Sequence, residues 1–143
     1  MKKWLVVANS SLARIYKIEK MKSLVEVELL EHPESRLHNR DLNSDKPGRG
    51  FESVGHARHS LEPHSSPQQL EFNQFAKELS VYLENARNNG EFESLYIAAS
   101  PTLLGLLRQC LDSNTAKLVK GEVDKDMTHM NPDEIMKHAS FLF

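Results

Sequence analysis

WLVVA, at residues 4–8, is a run of bulky and β-branched residues without a polar member. Such a run is typical of a short strand that is buried on both faces of a sheet. The polar residues 9–11 (NSS) then predict a tight turn, and apolar side chains alternate with polar ones over residues 13–18 and again over residues 24–29. Three strands this close along the chain predict an antiparallel meander.

Helix signals appear farther along the chain. Ser66 provides a cap, Pro67 suits a first helical position, and apolar residues then recur every three or four positions until Gly90. The later elements predicted from similar signals are a buried strand at residues 95–99, a helix after Ser100, a strand at residues 115–121 and a capped short helix at residues 131–136.

The predicted order of elements is β-β-β, a long loop, and then α-β-α-β-α. Because a helical crossover joins parallel strands, the later strands should pair parallel to the first one. The sequence therefore predicts one α/β domain over residues 1–143, with a five-stranded mixed sheet and helices on its faces. A meander followed by crossovers is also the order of the ribonuclease H-like architecture.

Composition limits the classes of function. The 143 residues are 39% hydrophobic and 27% charged, which is typical of one globular domain, and the net charge of −2 excludes a general attraction to nucleic acid or acidic membranes. The lone Cys110 excludes an intramolecular disulfide and favours a reducing compartment. No apolar run is long enough to span a membrane. We therefore expect a cytoplasmic protein without membrane contact.

The region most suggestive of function is a long loop at residues 32–67. It contains four of the six prolines, three of the six glycines and five of the seven histidines, and it has no regular hydrophobic period. A connection of this length within a domain is usually functional or mobile.

Within this loop, the sequence KPGRGF at residues 46–51 places two cations around a Pro-Gly turn next to an aromatic ring. Guanidinium and backbone N–H groups in such a turn can bind phosphate, and the ring can stack on a base. The neighbouring cations alternate with acids, so any attraction to RNA must be local. The candidate residues for RNA or phosphate are Lys46, Arg49, Phe51 and Arg58, with further contacts from Arg36, Arg40, His56 and His59.

The same loop raises the alternative of a hydrolase, either directed by a metal or directed at phosphate through Arg49 and Arg58. Its possible metal ligands are His56, His59 and His64, whose spacing does not match a helical metalloprotease motif. Solvated loop histidines explain the pattern more simply, and two-metal chemistry lacks a cluster of carboxylates on the strands. We expect no catalytic residue, no metal and no cofactor.

Several segments together resemble the bacterial family called "protein required for attachment to host cells", the host attachment family. They extend in order along nearly the whole chain, at residues 4–8, 13–15, 45–49, 56–59, 75–76, 104–108 and 125–128. The resemblance implies a fold related to the middle domain of eukaryotic and archaeal peptide-chain release factors.

This resemblance implies a non-enzymatic domain that contacts RNA, tRNA or the ribosome through its long loop, associated by family name with attachment to host cells. Asn9 stands where the family more often has Asp, and the Gly-Gly-Gln motif of release factors is absent, so residues do not support peptidyl-tRNA hydrolysis. A protein-interaction module is the remaining alternative. The oligomeric state stays open.

Overall fold

Five strands form one mixed sheet in a computed structural model that describes residues 2–20, 23–32 and 67–143. The strands are β1 (Lys3–Ala8), β2 (Leu12–Ile18), β3 (Leu24–Glu31), β4 (Ser94–Ala99) and β5 (Val119–Val123). The helices are α1 (Pro67–Asn88), α2 (Pro101–Cys110), α3 (Ser113–Ala116) and α4 (Pro132–Ala139), with a final 3₁₀ turn at Ser140–Leu142.

The order of strands in the sheet is β3-β2-β1-β4-β5. β1 pairs antiparallel with β2, and β2 with β3, so the meander is confirmed. β4 pairs parallel with both β1 and β5, as the helical crossovers predict. The α/β class and the five-stranded mixed sheet with helices are therefore confirmed.

Burial of β1 on both faces organises two core layers. Alternate β1 side chains, including Trp4 and Val6, pack in one layer beneath α1 and α2, whereas Leu5 and Val7 pack in the other layer beneath α4. Because successive strand residues point to opposite faces, an uninterrupted apolar run is what a central strand covered on both sides requires.

The region before β5 differs from the sequence prediction of a strand at residues 115–121. Residues Ser113–Ala116 instead form the short helix α3, because the Asp112 side chain caps it by accepting a hydrogen bond from the backbone N–H of Thr115. β5 therefore starts only at Val119. Thr115 is 0% exposed in this helix, although its β-branched side chain is typical of strands.

β3 contains a bulge that decides where Glu26 and Glu28 lie, although a regular strand would place residues two apart on one face. The register shifts between Ile15 and Tyr16, so that Glu26 lies opposite Tyr16 and Glu28 opposite Ile15. Those two β2 residues belong to different core layers. The bulge thus places the two carboxylates on opposite faces of the strand.

Candidate functional site

All the residues that the sequence predicts to bind RNA, phosphate or metal lie between residues 33 and 66, outside the described residues. The structure neither brings them together nor separates them, and their roles stay predictions. They are Lys46, Arg49, Phe51 and Arg58, the additional contacts Arg36, Arg40, His56 and His59, and the metal candidates His56, His59 and His64.

The two points at which this segment joins the fold are described, and they lie at one edge of the sheet. β1, β4 and β5 end at this edge, which we call the carboxyl edge. β3 also ends there, and the backbone N–H of His32 donates to the carbonyl of Ser11 in the turn after β1, at 2.8 Å. Ligands of open sheets with parallel strands bind at the carboxyl ends of those strands. This edge is therefore the candidate site.

His32 links the end of β3 to α1. Its ring is buried and lies 5.9 Å, centroid to centroid, from the ring of Phe75. Nε2 lies 2.5 Å from Oε1 of Glu71, and Nδ1 lies 3.4 Å from Oε1 of Glu78. Since a neutral imidazole has only one N–H, both nitrogens can donate to carboxylates only when the ring is protonated.

The electrostatic surroundings of His32 favour this charged form. Burial of the ring works against the charge, but the hydrogen bonds and negative charges of Glu78 and Glu71 outweigh it and hold the pKa of His32 above its ordinary value. The His32 ring therefore joins the strand that precedes residues 33–66 to the helix that follows them.

Asn9 is the centre of a second group at the carboxyl edge, immediately after β1. Its Oδ1 accepts hydrogen bonds from the backbone N–H groups of Ser11 (2.8 Å) and Leu12 (3.0 Å), which fixes the turn into β2. Its Nδ2 donates to Oδ2 of Asp126 and Oγ1 of Thr128, both at 3.2 Å. An amide has both the acceptor and the donor that these contacts require, whereas an ionised carboxylate has only acceptors.

Asp126 completes this group from the loop after β5. Its Oδ1 accepts from the backbone N–H of Thr128 at 2.9 Å and from the Thr128 hydroxyl at 2.6 Å. Burial would raise the pKa of Asp126, but these hydrogen bonds and the one from Asn9 lower it below the ordinary value. We call Asn9, Asp126 and Thr128 the amide–carboxylate cluster.

Arg14 attaches this cluster to the outer strands. Its Nε donates to the backbone carbonyl of Thr128 at 3.3 Å, and its Nη1 lies 3.7 Å from Oε1 of Glu26 on β3. The guanidinium, which belongs to β2, thus joins the loop after β5 to β3 across the sheet. Its contacts make it a structural cation of this edge.

Across residues 2–20, 23–32 and 67–143, no three or more His, Cys, Asp or Glu side chains form a group that could hold a metal ion. In the same part of the chain, no helix has the length and apolar character needed to cross a membrane.

A protein-family model matches almost the whole chain. Residues 4–139 match the model of the family described as "Protein required for attachment to host cells". The chain belongs to this family. The matched range includes the residues of the amide–carboxylate cluster, residues 33–66 and α4.

One relative from Rickettsia prowazekii (strain Madrid E), "Uncharacterized protein RP470", is 31% identical over 113 residues. The match covers 76% of this chain and 69% of the relative. The family name associates its members with attachment to host cells. The name of this relative assigns no activity.

The sequence predicts a turn at residues 9–11 and contains a family-like segment at residues 125–128, but it does not connect Asn9 with Asp126. The pattern Asp126-x-Thr128 is a signal for a local turn, because an Asp side chain accepts hydrogen bonds two residues onward. The spacing of Glu71 and Glu78 by two helical turns also indicates a shared face. That face meets His32 only through tertiary folding.

Proposed function

We propose that this host attachment family member is a non-enzymatic binding protein that contacts RNA through residues 33–66 and supports attachment from the cytoplasm. Lys46, Arg49 and Arg58 provide the electrostatic attraction, and Phe51 provides a ring that can stack on a base. The resemblance to the middle domain of release factors favours tRNA or the ribosome as the partner.

The observation that carries this proposal is a contact between the two ends of residues 33–66, the segment that contains these cations. His32 precedes the segment and contacts Glu71, which lies in the first turns of the helix that follows it. Holding the two ends of a loop together restricts the volume that its residues explore. His32 and the following helix thereby anchor both ends of the segment at the carboxyl edge, which favours this edge as the place of an RNA contact.

The described part of the carboxyl edge also favours the segment as the contact surface. The side chains of Asn9 and Asp126 hydrogen-bond to each other, and Arg14 contacts Thr128 and Glu26. These polar groups stabilise the edge through internal contacts, so the loop cations are the better candidates for phosphate.

The direct test measures binding of the full chain to fluorescently labelled tRNA by anisotropy, together with ribosome co-sedimentation, at several salt concentrations. Three phosphate contacts predict that the logarithm of the binding constant falls against the logarithm of the salt concentration with a slope of about −2 to −3. A slope near zero would contradict an electrostatic contact.

The matched variants are Arg49→Ala with Arg58→Ala, and Lys77→Ala with Lys137→Ala as the control. Both pairs remove two positive charges, but the control lysines are exposed on α1 and α4. We expect at least tenfold weaker RNA binding for the arginine pair and less than a twofold change for the control. Equal binding by both pairs, or no binding by the unaltered protein at low salt, would overturn the proposal in favour of a protein partner.

A further inference from the structure

The opposite edge of the sheet, where β1 begins, contains an open groove of about 440 Å³. We call it the lysine groove. Nothing in the family description concerns it, and its first two lysines precede the residues that match the family model. The lining residues that matter here are Lys2, Lys3, Lys17, Lys20, Trp4 and Val27.

The lysine groove concentrates positive charge in a chain whose net charge is −2. Its lining contains four lysines against two glutamates, Glu19 and Glu91. Although the whole chain is slightly acidic, this local excess of cations attracts anions to the lysine groove.

Two of these lysines are engaged within the protein. Lys2 Nζ donates to the backbone carbonyl of Gly90 at 2.9 Å, and Lys17 Nζ lies 3.3 Å from the carboxylate of Glu19. In the described part of the chain, Lys3 and Lys20 have neither a side-chain hydrogen bond nor an ion pair. Their ammonium groups are therefore available to an external anion.

Trp4 lies at the floor of the groove and packs among aromatic rings. Trp4 is only 2% exposed, and its ring lies 6.3 Å from that of Tyr82 and 5.2 Å from that of Phe92. Lys17 lies directly opposite Trp4 in the β1–β2 ladder, so the backbone of this cation is fixed relative to the floor. Val27, which is 40% exposed, extends the apolar surface.

We propose that the lysine groove binds a nucleoside phosphate, with the phosphates on the lysines and the less polar body of the ligand against Val27. Ammonium groups bind phosphate as point charges, and the volume of the groove lies within the range of about 300–1,000 Å³ that small-ligand sites occupy. The groove lies at the other edge of the sheet from the two points at which residues 33–66 join the fold.

The groove contains its own reporter, since Trp4 is the one tryptophan of the chain. Titration of the full-length protein with ATP should change Trp4 emission saturably, and calorimetry should give the same dissociation constant. Inorganic phosphate should bind at least tenfold more weakly, because it lacks the nucleoside that would contact Val27. The absence of both an emission change and measurable heat would overturn the proposal.

Two RNA oligonucleotides that differ only at the 5′ end distinguish an RNA terminus from a free nucleotide as the ligand. If the site takes an RNA terminus, the 5′-triphosphate oligonucleotide should compete with ATP and the 5′-hydroxyl oligonucleotide should not. If it takes a free nucleotide, ATP should bind and neither oligonucleotide should compete. Equal competition by both oligonucleotides would mean general polyanion binding and would contradict a nucleoside phosphate site.

The matched variants are Lys3→Ala with Lys20→Ala, against the control pair Lys77→Ala with Lys137→Ala. We expect at least tenfold weaker ATP binding for the groove pair and less than a twofold change for the control. Equal affinities would overturn the proposal. If the groove pair does not fold, Lys20→Glu replaces it with the same expectation.

The Arg49→Ala with Arg58→Ala variant separates the two proposals. It should bind ATP as the unaltered protein does, even if it loses RNA. Loss of ATP binding in this variant alone would assign the phosphate site to residues 33–66, which would contradict the lysine groove and leave the RNA proposal standing.

Discussion

The two edges of the sheet use polar side chains in different ways. At the carboxyl edge, Asn9, Asp126 and Thr128 hydrogen-bond to one another, and His32 lies between two carboxylates. At the opposite edge, where β1 begins, the lysines of the groove lie around Trp4 and Val27. Paired and partly buried polar groups stabilise a fold, whereas exposed cations contribute little to it. The same kind of substitution should therefore have very different costs at the two edges.

The largest effect is expected for Asn9→Asp. The new carboxylate would replace an N–H donor that lies 3.2 Å from Oδ2 of Asp126, so two like charges would meet in a partly buried place. We expect a loss of about 2–4 kcal/mol in the free energy of unfolding at pH 7, measured by urea denaturation.

The matched control is Asn85→Asp, which adds the same charge at an exposed position of α1 and should change stability by less than about 0.5 kcal/mol. Mild acidification should recover part of the loss in Asn9→Asp, because one shared proton removes the repulsion. A variant as stable as the unaltered protein at neutral pH would contradict the role of the amide.

An intermediate effect is expected at His32. Because its folded-state pKa is raised, its contribution to stability is complete below the unfolded pKa of about 6.5 and is lost as pH rises through the folded value. The His32→Gln variant should lack this contribution, so the stability difference between the two proteins should be about 1–3 kcal/mol at pH 5.5 and should shrink above pH 6.5.

Two substitutions on α1 test the cause of this pH dependence. Glu71→Gln removes a partner of His32 and should weaken the dependence, whereas Glu84→Gln makes the same charge change farther along the helix and should preserve it. A stability difference that grows as pH rises above 6.5 would refute the charged form of His32.

The smallest effect is expected for Lys3→Ala with Lys20→Ala. Neither ammonium group has a partner among the described residues, so the unfolding free energy should change by less than about 0.5 kcal/mol, which urea denaturation can check. A loss comparable to that of Asn9→Asp would remove the distinction between the two edges.

Local patterns in the sequence were sufficient to predict most of the strands and helices. The apolar run at residues 4–8 predicted the central strand, and Ser100 and Asn131 predicted the helix starts that the structure confirms through their cap hydrogen bonds. The prediction was wrong at Thr115, where one polar cap at Asp112 selected a helical turn over a strand. A single side-chain hydrogen bond decides such a case.

The contacts of the carboxyl edge were not predictable from local patterns. Asn9 and Asp126 are 117 residues apart, and His32 and Glu71 are 39 residues apart. A lone sequence records each polar residue but not the distance between two of them after folding. The lysine groove escaped for the same reason, because strand pairing brings Trp4 next to Lys17.

The bulge in β3 has a consequence for self-association. β3 stands last in the strand order of the described sheet, and an outer strand is a template on which a second copy of the chain can pair. The bulge interrupts a regular ladder and turns Glu26 and Glu28 to opposite faces. A second β3 laid alongside would therefore meet carboxylates above and below, which opposes strand-to-strand pairing of two copies.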